Sequence, residues 1–423
     1  MIKTIKDIKD LKNKRVLVRV DFNVPIKNGK VQENYRIKKV LPTIEYLLKH
    51  KAQVILVSHL GRPTPGKFEK KFSLAPVAKE LEKLLKRKVS FVCHSELACP
   101  PKKKISGSKN FSKEILKSIQ NDSSNVVLLE NIRFCKGEAA VSSSSDYKKF
   151  AKELAGLADI FVMDGFAVAH RDSPSVSGVA KFLPAFAGLL VEEEVEGLTR
   201  VINKPKKPLV VILGGIKCET KIPVLENLLP KASQILLGGG IVNTYLWAKG
   251  FAVGKSLIDK DFKNKVLKIC KNKKVILPVD LVVGDKSGKS YEVLKMSSKF
   301  PARIANEACR TWQVPSSKSI LSVGPETVQL YAKYIKKAKT LILNGAIGYF
   351  EQPPYQHATY AINRLFAARS KGRAFGVAGG GETVQVLKEL RIKEQVDLVS
   401  TGGGAMLEFL AGKKLPGIEV LKS

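Results

Sequence analysis

The stretch LVVILGGIKCETK, from Leu209 to Lys221, decides the fold: five apolar residues run without a polar interruption into Gly214-Gly215, and a helix-compatible segment follows. An unbroken apolar run of strand length, bounded by glycine, predicts a strand buried on both faces, as in a parallel sheet covered by helices. The pattern recurs downstream. Gln234 to Leu237 enters Gly238-Gly239-Gly240, Leu341 to Leu343 enters Asn344-Gly345 and then Gly348, Phe375 to Ala378 enters Gly379-Gly380-Gly381, and Val396 to Ser400 precedes Gly402-Gly403-Gly404. Glycine at such turns permits close backbone approach, and a helix starting just beyond offers unpaired N–H groups and the positive end of its dipole to phosphate oxygens. One turn of this kind is most often a tight connection; several at one sheet edge describe a crevice for a nucleotide.

Upstream, apolar runs at Arg15 to Val20, Gln53 to Val57, Val89 to Cys93, Val126 to Leu129 and Asp159 to Met163 alternate with longer helical patterns, and Val275 to Val279 adds a strand to the second half. Strands alternating with helices predict an α/β protein, and 423 residues suit two such domains. Between the halves AGLLVEEEVEGLTRVI, Ala187 to Ile202, has apolar residues at helical spacing, and the breaker Asn203-Lys-Pro-Lys-Lys-Pro208 ends it. The expected organisation is two lobes, each a parallel sheet flanked by helices: 1–186 first, 187–203 as a linking helix, 204–404 second, and 405–423 packing back on the first lobe.

Composition excludes several classes. With 44% hydrophobic and 26% charged residues the chain is an ordered globular enzyme rather than a disordered protein. The N-terminal MIKTIKDIKDLKNKR has no apolar signal core, and no later run reaches the ~18 apolar residues of a membrane span, so a cytoplasmic chain is expected. Cys93, Cys99, Cys135, Cys218, Cys270 and Cys309 contain no Cys-x-x-Cys pair, which disfavours a zinc knuckle or a disulfide scaffold and predicts free thiols. The net charge of +35 suits nucleic acid or strongly anionic small substrates. The lysines are spread through amphipathic segments such as Lys79 to Lys88 and Lys263 to Lys274, without a basic tail or a stacking platform. They read as solvated faces, with weak non-specific nucleic-acid binding as a secondary property. The Lys/Ser-rich segment from Pro100 to Ser124 and the run Ser142 to Ser145 read as surface excursions without chemistry.

Two motifs fail on inspection. No Gly-x-Gly-x-x-Gly follows the first strand of either half, which disfavours a dehydrogenase, and Gly250-Phe-Ala-Val-Gly254-Lys255-Ser256 has three residues between glycines where a P-loop needs four. Lys217 and Lys221, by contrast, follow Gly214-Gly215 at a helical spacing that puts both near the same phosphate site.

In the first half, polar residues cluster just past the strand ends: Asp21 and Asn23 after the first, His59 and Arg62 after the second, Arg133 after the fourth, His170 and Arg171 after the fifth, with Arg36 at the helix start that follows the first. One arginine is usually a surface ion pair of little worth. Four of them with a histidine at equivalent strand ends make a site for a small ligand bearing phosphate and carboxylate, and Asp21 and Asn23 suit its hydroxyls.

Val18-Arg-Val-Asp-Phe-Asn-Val-Pro25, Ser58-His-Leu-Gly-Arg-Pro63, Leu129-Glu-Asn-Ile-Arg-Phe134 and Ser400-Thr-Gly-Gly-Gly-Ala405 stand in the order found in phosphoglycerate kinases, and the chain resembles that family over essentially its whole length. The resemblance implies a monomer that reversibly transfers the acyl phosphate of 1,3-bisphosphoglycerate to ADP, giving 3-phosphoglycerate and MgATP in glycolysis, by in-line transfer with closure of the lobes about the linking helix. It places phosphoglycerate contacts on Asp21, Phe22, Asn23, Arg36, His59, Leu60, Gly61, Arg62, Arg133 and Arg171. Nucleotide contacts fall on Gly214, Lys217, Lys221, Gly239, Asn344, Glu351, Gly380, Gly381, Glu382 and Thr383, with Glu351 at the ribose hydroxyls. Arg36, Lys217 and the backbone of Gly403 would surround the transferring phosphoryl group. Departures from the family pattern include Glu382, where an aspartate usually holds Mg2+; Ile216, Cys218, Glu219 and Thr220 around the two lysines; Ala346 in place of proline; Met163, Ala167 and Val168; and Asp172-Ser-Pro-Ser175. Residues 94–124 match the family poorly and read as an insertion. The competing readings are another small-molecule kinase, such as an acetate or carbamate kinase, and a nucleic-acid-binding protein.

Overall fold

A computed structural model describes residues 2–93, 115–116, 124–296 and 313–422. The chain divides into two compact units, Met1–Val195 with Lys414–Ser423, and Glu196–Lys413. The division falls inside the helix Leu189–Asn203.

The first unit is built on six parallel strands: β1 (Arg15–Arg19), β4 (Gln53–Val57), β5 (Ser90–Val92), β6 (Val126–Leu129), β7 (Ile160–Met163) and β8 (Ala185–Ala187). Their spatial order is β5-β6-β4-β1-β7-β8, so the chain reverses its direction of travel across the sheet at β1. In a doubly wound sheet the loops at such a reversal leave a crevice beyond the strands' carboxyl ends. Val16, Leu17 and Val18 are buried on both faces, as their unbroken apolar run predicts. The helix Tyr35–Lys49 covers one face with Ile37, Val40, Ile44 and Leu47, spaced at helical intervals. A small antiparallel hairpin, β2 (Ile26–Lys27) with β3 (Lys30–Val31), follows β1.

The second unit repeats the plan with β9 (Leu209–Leu213), β10 (Gln234–Leu237), β11 (Val275–Ile276), β15 (Thr340–Asn344), β16 (Phe375–Gly379) and β17 (Leu398–Val399), ordered β11-β10-β9-β15-β16-β17 and all parallel. Here the reversal lies at β9, flanked by β10 and β15. All five residues of β9 and of β15 are buried. A separate antiparallel sheet, β13-β12-β14, is made by β12 (Asp280–Gly284), β13 (Tyr291–Lys295) and β14 (Ser319–Val323).

Several expectations shift. The linking helix begins at Leu189, not Ala187, because Ala187 ends β8: its N–H donates to Lys3 O at 2.8 Å, and Gly188 N donates to Met163 O at 3.0 Å. The strand expected over Val275 to Val279 stops at Ile276, just before Leu277-Pro278, and the chain re-enters extended structure in the other sheet at Asp280. The C-terminal segment joins the first unit from Lys414, whereas the helix Gly403–Leu410 belongs to the second, where Asn227 Nδ2 donates to Leu410 O at 2.7 Å. Lys3 N donates to Leu421 O at 2.9 Å in the first unit. Ser144, in the serine run, caps the helix Ser145–Ala155 by accepting from Tyr147 N at 3.2 Å. Cys135, Cys218 and Cys270 are free and buried, but Cys93 is disulfide-bonded, which corrects the expectation of free thiols there. Cys99, Cys309 and most of the 94–124 segment lie outside the described residues. Among the described residues no helix is long and apolar enough to cross a membrane.

Candidate active site

Because β6, β4, β1 and β7 are neighbours, the loops after them converge at one end of the first sheet. Arg36, in the first turn of the helix Tyr35–Lys49, donates to Asp21 Oδ2 at 2.7 Å and to Asn23 O at 3.1 Å. Asn23 Oδ1 accepts from Gly61 N at 2.9 Å, which leaves its amide N–H2 for a ligand. The Arg133 guanidinium donates to Gly61 O, tying the β6 loop to the β4 loop. His59 is 4% exposed, with Nδ1 3.6 Å from Asp21 Oδ1 and 3.5 Å from the Arg19 guanidinium. Burial first, then the fields of Arg19, Arg133, Arg171 and Arg36, hold its pKa well below 6.5, so the ring is neutral at pH 7. Burial and the neighbouring Arg171 and Arg19 also lower Arg133, to about 10. Arg62 and Arg171 are exposed and make no side-chain hydrogen bond or ion pair among the described residues.

Burial, and with it neighbouring positive charge, lowers the pKa of Arg133 and Arg19, and an anion placed among these guanidinium groups would relieve the repulsion. Phe22 is fully buried and Leu60 nearly so, so these two offer the site backbone rather than side chain. Arg19 escaped the reading of the sequence. It is 2% exposed inside β1, donating through Nε to Ser175 Oγ at 2.9 Å. Its signal was a charge at the buried end of the apolar run Val16 to Val18, since a buried arginine persists only with partners.

In the second unit the glycine turns interlock. Gly215 N donates to Ala346 O at 2.7 Å, Gly239 N to Ile347 O at 3.1 Å and Gly240 N to Gly215 O at 2.9 Å. Gly239 must be glycine: its φ is +63°, and a Cβ there would lie 2.7 Å from Gly215 O. Asn344, at the end of β15, accepts from the Lys221 ammonium at 2.7 Å and donates to Gly379 O at 2.8 Å. Thr383 Oγ1 accepts from Gly345 N at 2.8 Å and Glu382 Oε2 from Ala346 N at 3.1 Å. Lys221 is 8% exposed; burial lowers its pKa and the nearby Glu382 partly restores it. Lys217 sits exposed one residue before the helix Cys218–Leu228, so of the two lysines only Lys221 is buried against Asn344. Gly380 immediately precedes the helix Gly381–Glu389, and Gly402 the helix Gly403–Leu410; both helices thus open on glycine, with nothing within 4 Å of a Cβ built at Gly381.

A cavity of about 250 Å3 opens beside these turns. Gly215, Gly239, Gly240, Glu351 and Glu382 line it, as do the apolar side chains of Ile216, Leu257, Leu281, Leu321, Val323 and Tyr349. Ile216, Leu257 and Tyr349 are exposed apolar groups, 56%, 53% and 37%, which a flat apolar ring would cover. The wall formed by β12 and β14 was missed because β12 follows Leu277-Pro278 at the end of what read as a single strand, and β14 enters the lone Gly324 rather than a glycine cluster. The rejected Gly250–Ser256 stretch makes no phosphate loop: Lys255 N donates to Lys318 O at 2.8 Å, and Ser256 Oγ accepts from Ile320 N at 2.8 Å. Lys255 nevertheless lines the cavity. Among the described residues no cluster of three or more His, Cys, Asp or Glu could hold a metal ion; Glu382 offers a single carboxylate, with Oε2 engaged by Ala346 N.

The family model for phosphoglycerate kinase matches residues 5–413. A phosphoglycerate kinase of Francisella tularensis subsp. tularensis is 40% identical over 430 residues, covering 99% of this chain and 98% of that protein. One of Pelotomaculum thermopropionicum is also 40% identical, over 428 residues with the same coverage. Among solved structures, phosphoglycerate kinase from Coxiella burnetii superposes with a TM-score of 0.79 at 39% identity, covering 100% of this chain and 99% of that one. The Pyrococcus horikoshii enzyme gives 0.79 at 29% identity, covering 99% and 98%. Motif order, paired parallel sheets and full-length similarity agree: this chain belongs to the phosphoglycerate kinase family.

Proposed function

We propose that the chain catalyses the reversible transfer of the acyl phosphate of 1,3-bisphosphoglycerate to ADP, giving 3-phosphoglycerate and ATP in glycolysis. The observation that carries this reading is the presence of two chemically distinct anion sites in one chain. One unit holds the cluster of Arg36, Asp21, His59 and Arg133; the other holds a glycine-walled cavity and, next to Gly215 on its wall, the buried Lys221.

The attacking carboxylate of 3-phosphoglycerate is ionised at pH 7, so the reaction needs no general base. What remains is positioning and charge. Arg62, Arg133, Arg171 and neutral His59 hold the ligand's phosphate and carboxylate, and Asn23 donates to its hydroxyl. Lys221, Asn344, Thr383 and the turns at Gly214, Gly239, Gly380 and Gly381 hold the nucleotide's phosphates, with Glu351 at the ribose. Arg36, Lys217 and the N–H groups opening the Gly403 helix stabilise charge on the transferring group. Donor and acceptor are held on different units, so transfer requires them to close, and small-angle scattering should record compaction only when both substrates bind.

Mg2+ arrives with the nucleotide. Glu382 is the residue that would hold it, its Oε1 lacking a partner among the described residues, and the ion would supply positive charge to the nucleotide's phosphates there. Glu382→Ala should raise the Mg2+ concentration for half-maximal rate at least ~10-fold; unchanged Mg2+ dependence removes Glu382 from this role. The same reading makes the enzyme a cytoplasmic monomer, and light scattering near 46.4 kDa checks its state.

A coupled assay tests the whole. ATP formation from 1,3-bisphosphoglycerate and ADP supports it; no ATP, with acetate or carbamate phosphorylated instead, replaces it with another carboxylate kinase. The charge of +35 favours a secondary, salt-sensitive binding of nucleic acid alongside the enzyme.

A further inference from the structure

We propose that Glu138 and Ser175 are positioning residues for the phosphoglycerate site: together they orient the buried Arg19 guanidinium, and through it His59, for a ligand bearing phosphate and carboxylate. This rests on the kinase reading above. Neither residue belongs to the cluster that reaches the ligand.

The hydrogen bonds fix the direction of the chain. Glu138 Oε1 accepts from Ser175 Oγ at 2.7 Å and from Ser173 Oγ at 2.9 Å, while Oε2 accepts from Ser175 N at 3.1 Å. The Ser175 hydroxyl has a single proton and gives it to Glu138, so its lone pair receives the Arg19 Nε–H at 2.9 Å. Arg19 also donates through NH1 to Val20 O and to Val57 O. Its NH2 lies 3.5 Å from His59 Nδ1. An arginine nitrogen only donates, so in this contact Nδ1 accepts; the Asp21 Oδ1 at 3.6 Å is too far to claim a proton from it. We therefore assign the ring proton of neutral His59 to Nε2, with Arg19 rather than Asp21 as the partner of Nδ1.

The segment carrying Ser175 is built for placement. Pro174–Gly178 is a π-helical turn, closed by Gly178 N donating to Ser173 O at 3.2 Å, a geometry frequent at functional sites. A second brace holds it, since Tyr147 Oη donates to Asp172 Oδ1 at 2.8 Å and Ser177 Oγ to the same oxygen at 2.5 Å. On the other side the turn Lys136–Ala139, which carries Glu138, presses against the helix Ser145–Ala155, where any Cβ on Gly137 would collide with Phe150. Burial raises the Glu138 pKa while Arg19 lowers it, the pattern of a carboxylate kept for its cation.

Glu138→Gln removes the charge and turns an amide N–H2 toward one of the three donors. Ser175→Ala breaks the link to Arg19 by removing one oxygen, and carries the test alone should Glu138→Gln fail to fold. In the full-length enzyme each should raise the KM for 3-phosphoglycerate ~10-fold and leave the nucleotide KM within ~2-fold. The double variant should be no worse than the more severe single one, because both act through one contact chain. Nitrogen-15 NMR should show His59 as the Nε2–H tautomer in the parent and a mixture in Ser175→Ala. An unchanged 3-phosphoglycerate KM, a lower one, a rise in both KM values together, additive effects in the double variant, or an unchanged tautomer would each overturn the inference. Failure of the kinase reading looks different: the parent itself would show no turnover dependent on 3-phosphoglycerate.

Discussion

His59 lies 4% exposed among arginines, and burial with their fields holds it neutral in the folded chain. Once unfolded it titrates near 6.5, so below that pH the unfolded chain takes up a proton that the native state refuses. The contribution is therefore complete above pH 6.5 and is lost as pH falls, with a slope of up to ~1.4 kcal/mol per pH unit. Denaturant titrations at pH 5, 6 and 7 should show this loss, and His59→Gln should flatten it; an equally steep fall in the variant assigns the slope elsewhere. Lys221 is the corresponding residue of the proposed nucleotide site, an ammonium taken out of water and held by Asn344 at 2.7 Å. Replacing it with Met should raise the nucleotide KM ~10-fold or more while the 3-phosphoglycerate KM holds; a change confined to the latter would misplace the residue. At this scale the sequence was legible wherever a charged group stood just past a strand end, as with Asp21, His59 and Arg133. It was not legible for Arg19 or Glu138, whose partners are remote in the chain: Ser175 is 156 residues from Arg19 and 37 from Glu138.

Among the elements, the two parallel sheets announced themselves through unbroken apolar runs, which end in glycine in the second unit and in polar residues in the first, because burial on both faces removes the alternation that polar exposure would impose. The antiparallel sheet did not. The residues of β13 are largely exposed, and β12 and β14 meet only single glycines, Gly284 and Gly324, at their ends. Yet this sheet supplies Leu281, Leu321 and Val323 to the cavity wall. Its anchor is Asp280, 1% exposed, whose Oδ2 accepts from Glu326 N at 2.9 Å and Oδ1 from Thr327 N at 2.8 Å, capping the helix Pro325–Lys337 from a neighbouring strand. Asp280→Ala leaves those N–H groups unpaired in a buried place and should cost ~2 kcal/mol. Asp280→Asn keeps one acceptor and should cost less. Equal stability of all three in urea would show that the cap is dispensable. A rise in nucleotide KM with Asp280→Ala, at a temperature where it is folded, would show that the cap also sets the cavity wall.

For the molecule as a whole the governing quantity is charge, 73 lysines and arginines against 38 acids. Exposed pairs such as Lys6–Glu192 at 2.8 Å and Lys39–Glu193 at 2.9 Å neutralise little of it and are individually worth well under ~1 kcal/mol. A net +35 therefore acts on two processes with opposite sign. It opposes folding, because compaction brings like charges together, and it favours encounter with anionic substrates, because the summed potential draws them in. Salt screens both: the Debye length falls from ~10 Å at 0.1 M to ~3 Å at 1 M. Raising KCl from ~0.02 M to ~0.5 M should thus raise the thermal midpoint by a few degrees and raise the KM for 3-phosphoglycerate several-fold. Sucrose at matched osmolality separates screening from solvent exclusion, since it should stabilise the fold without touching KM. If salt moved neither quantity, the lysine excess would be electrostatically silent at the site. If it moved KM alone, the excess charge would lie near the arginine cluster rather than spread over the surface. Movement of both marks the surface charge as a cost to stability that the enzyme carries together with faster capture of its substrates.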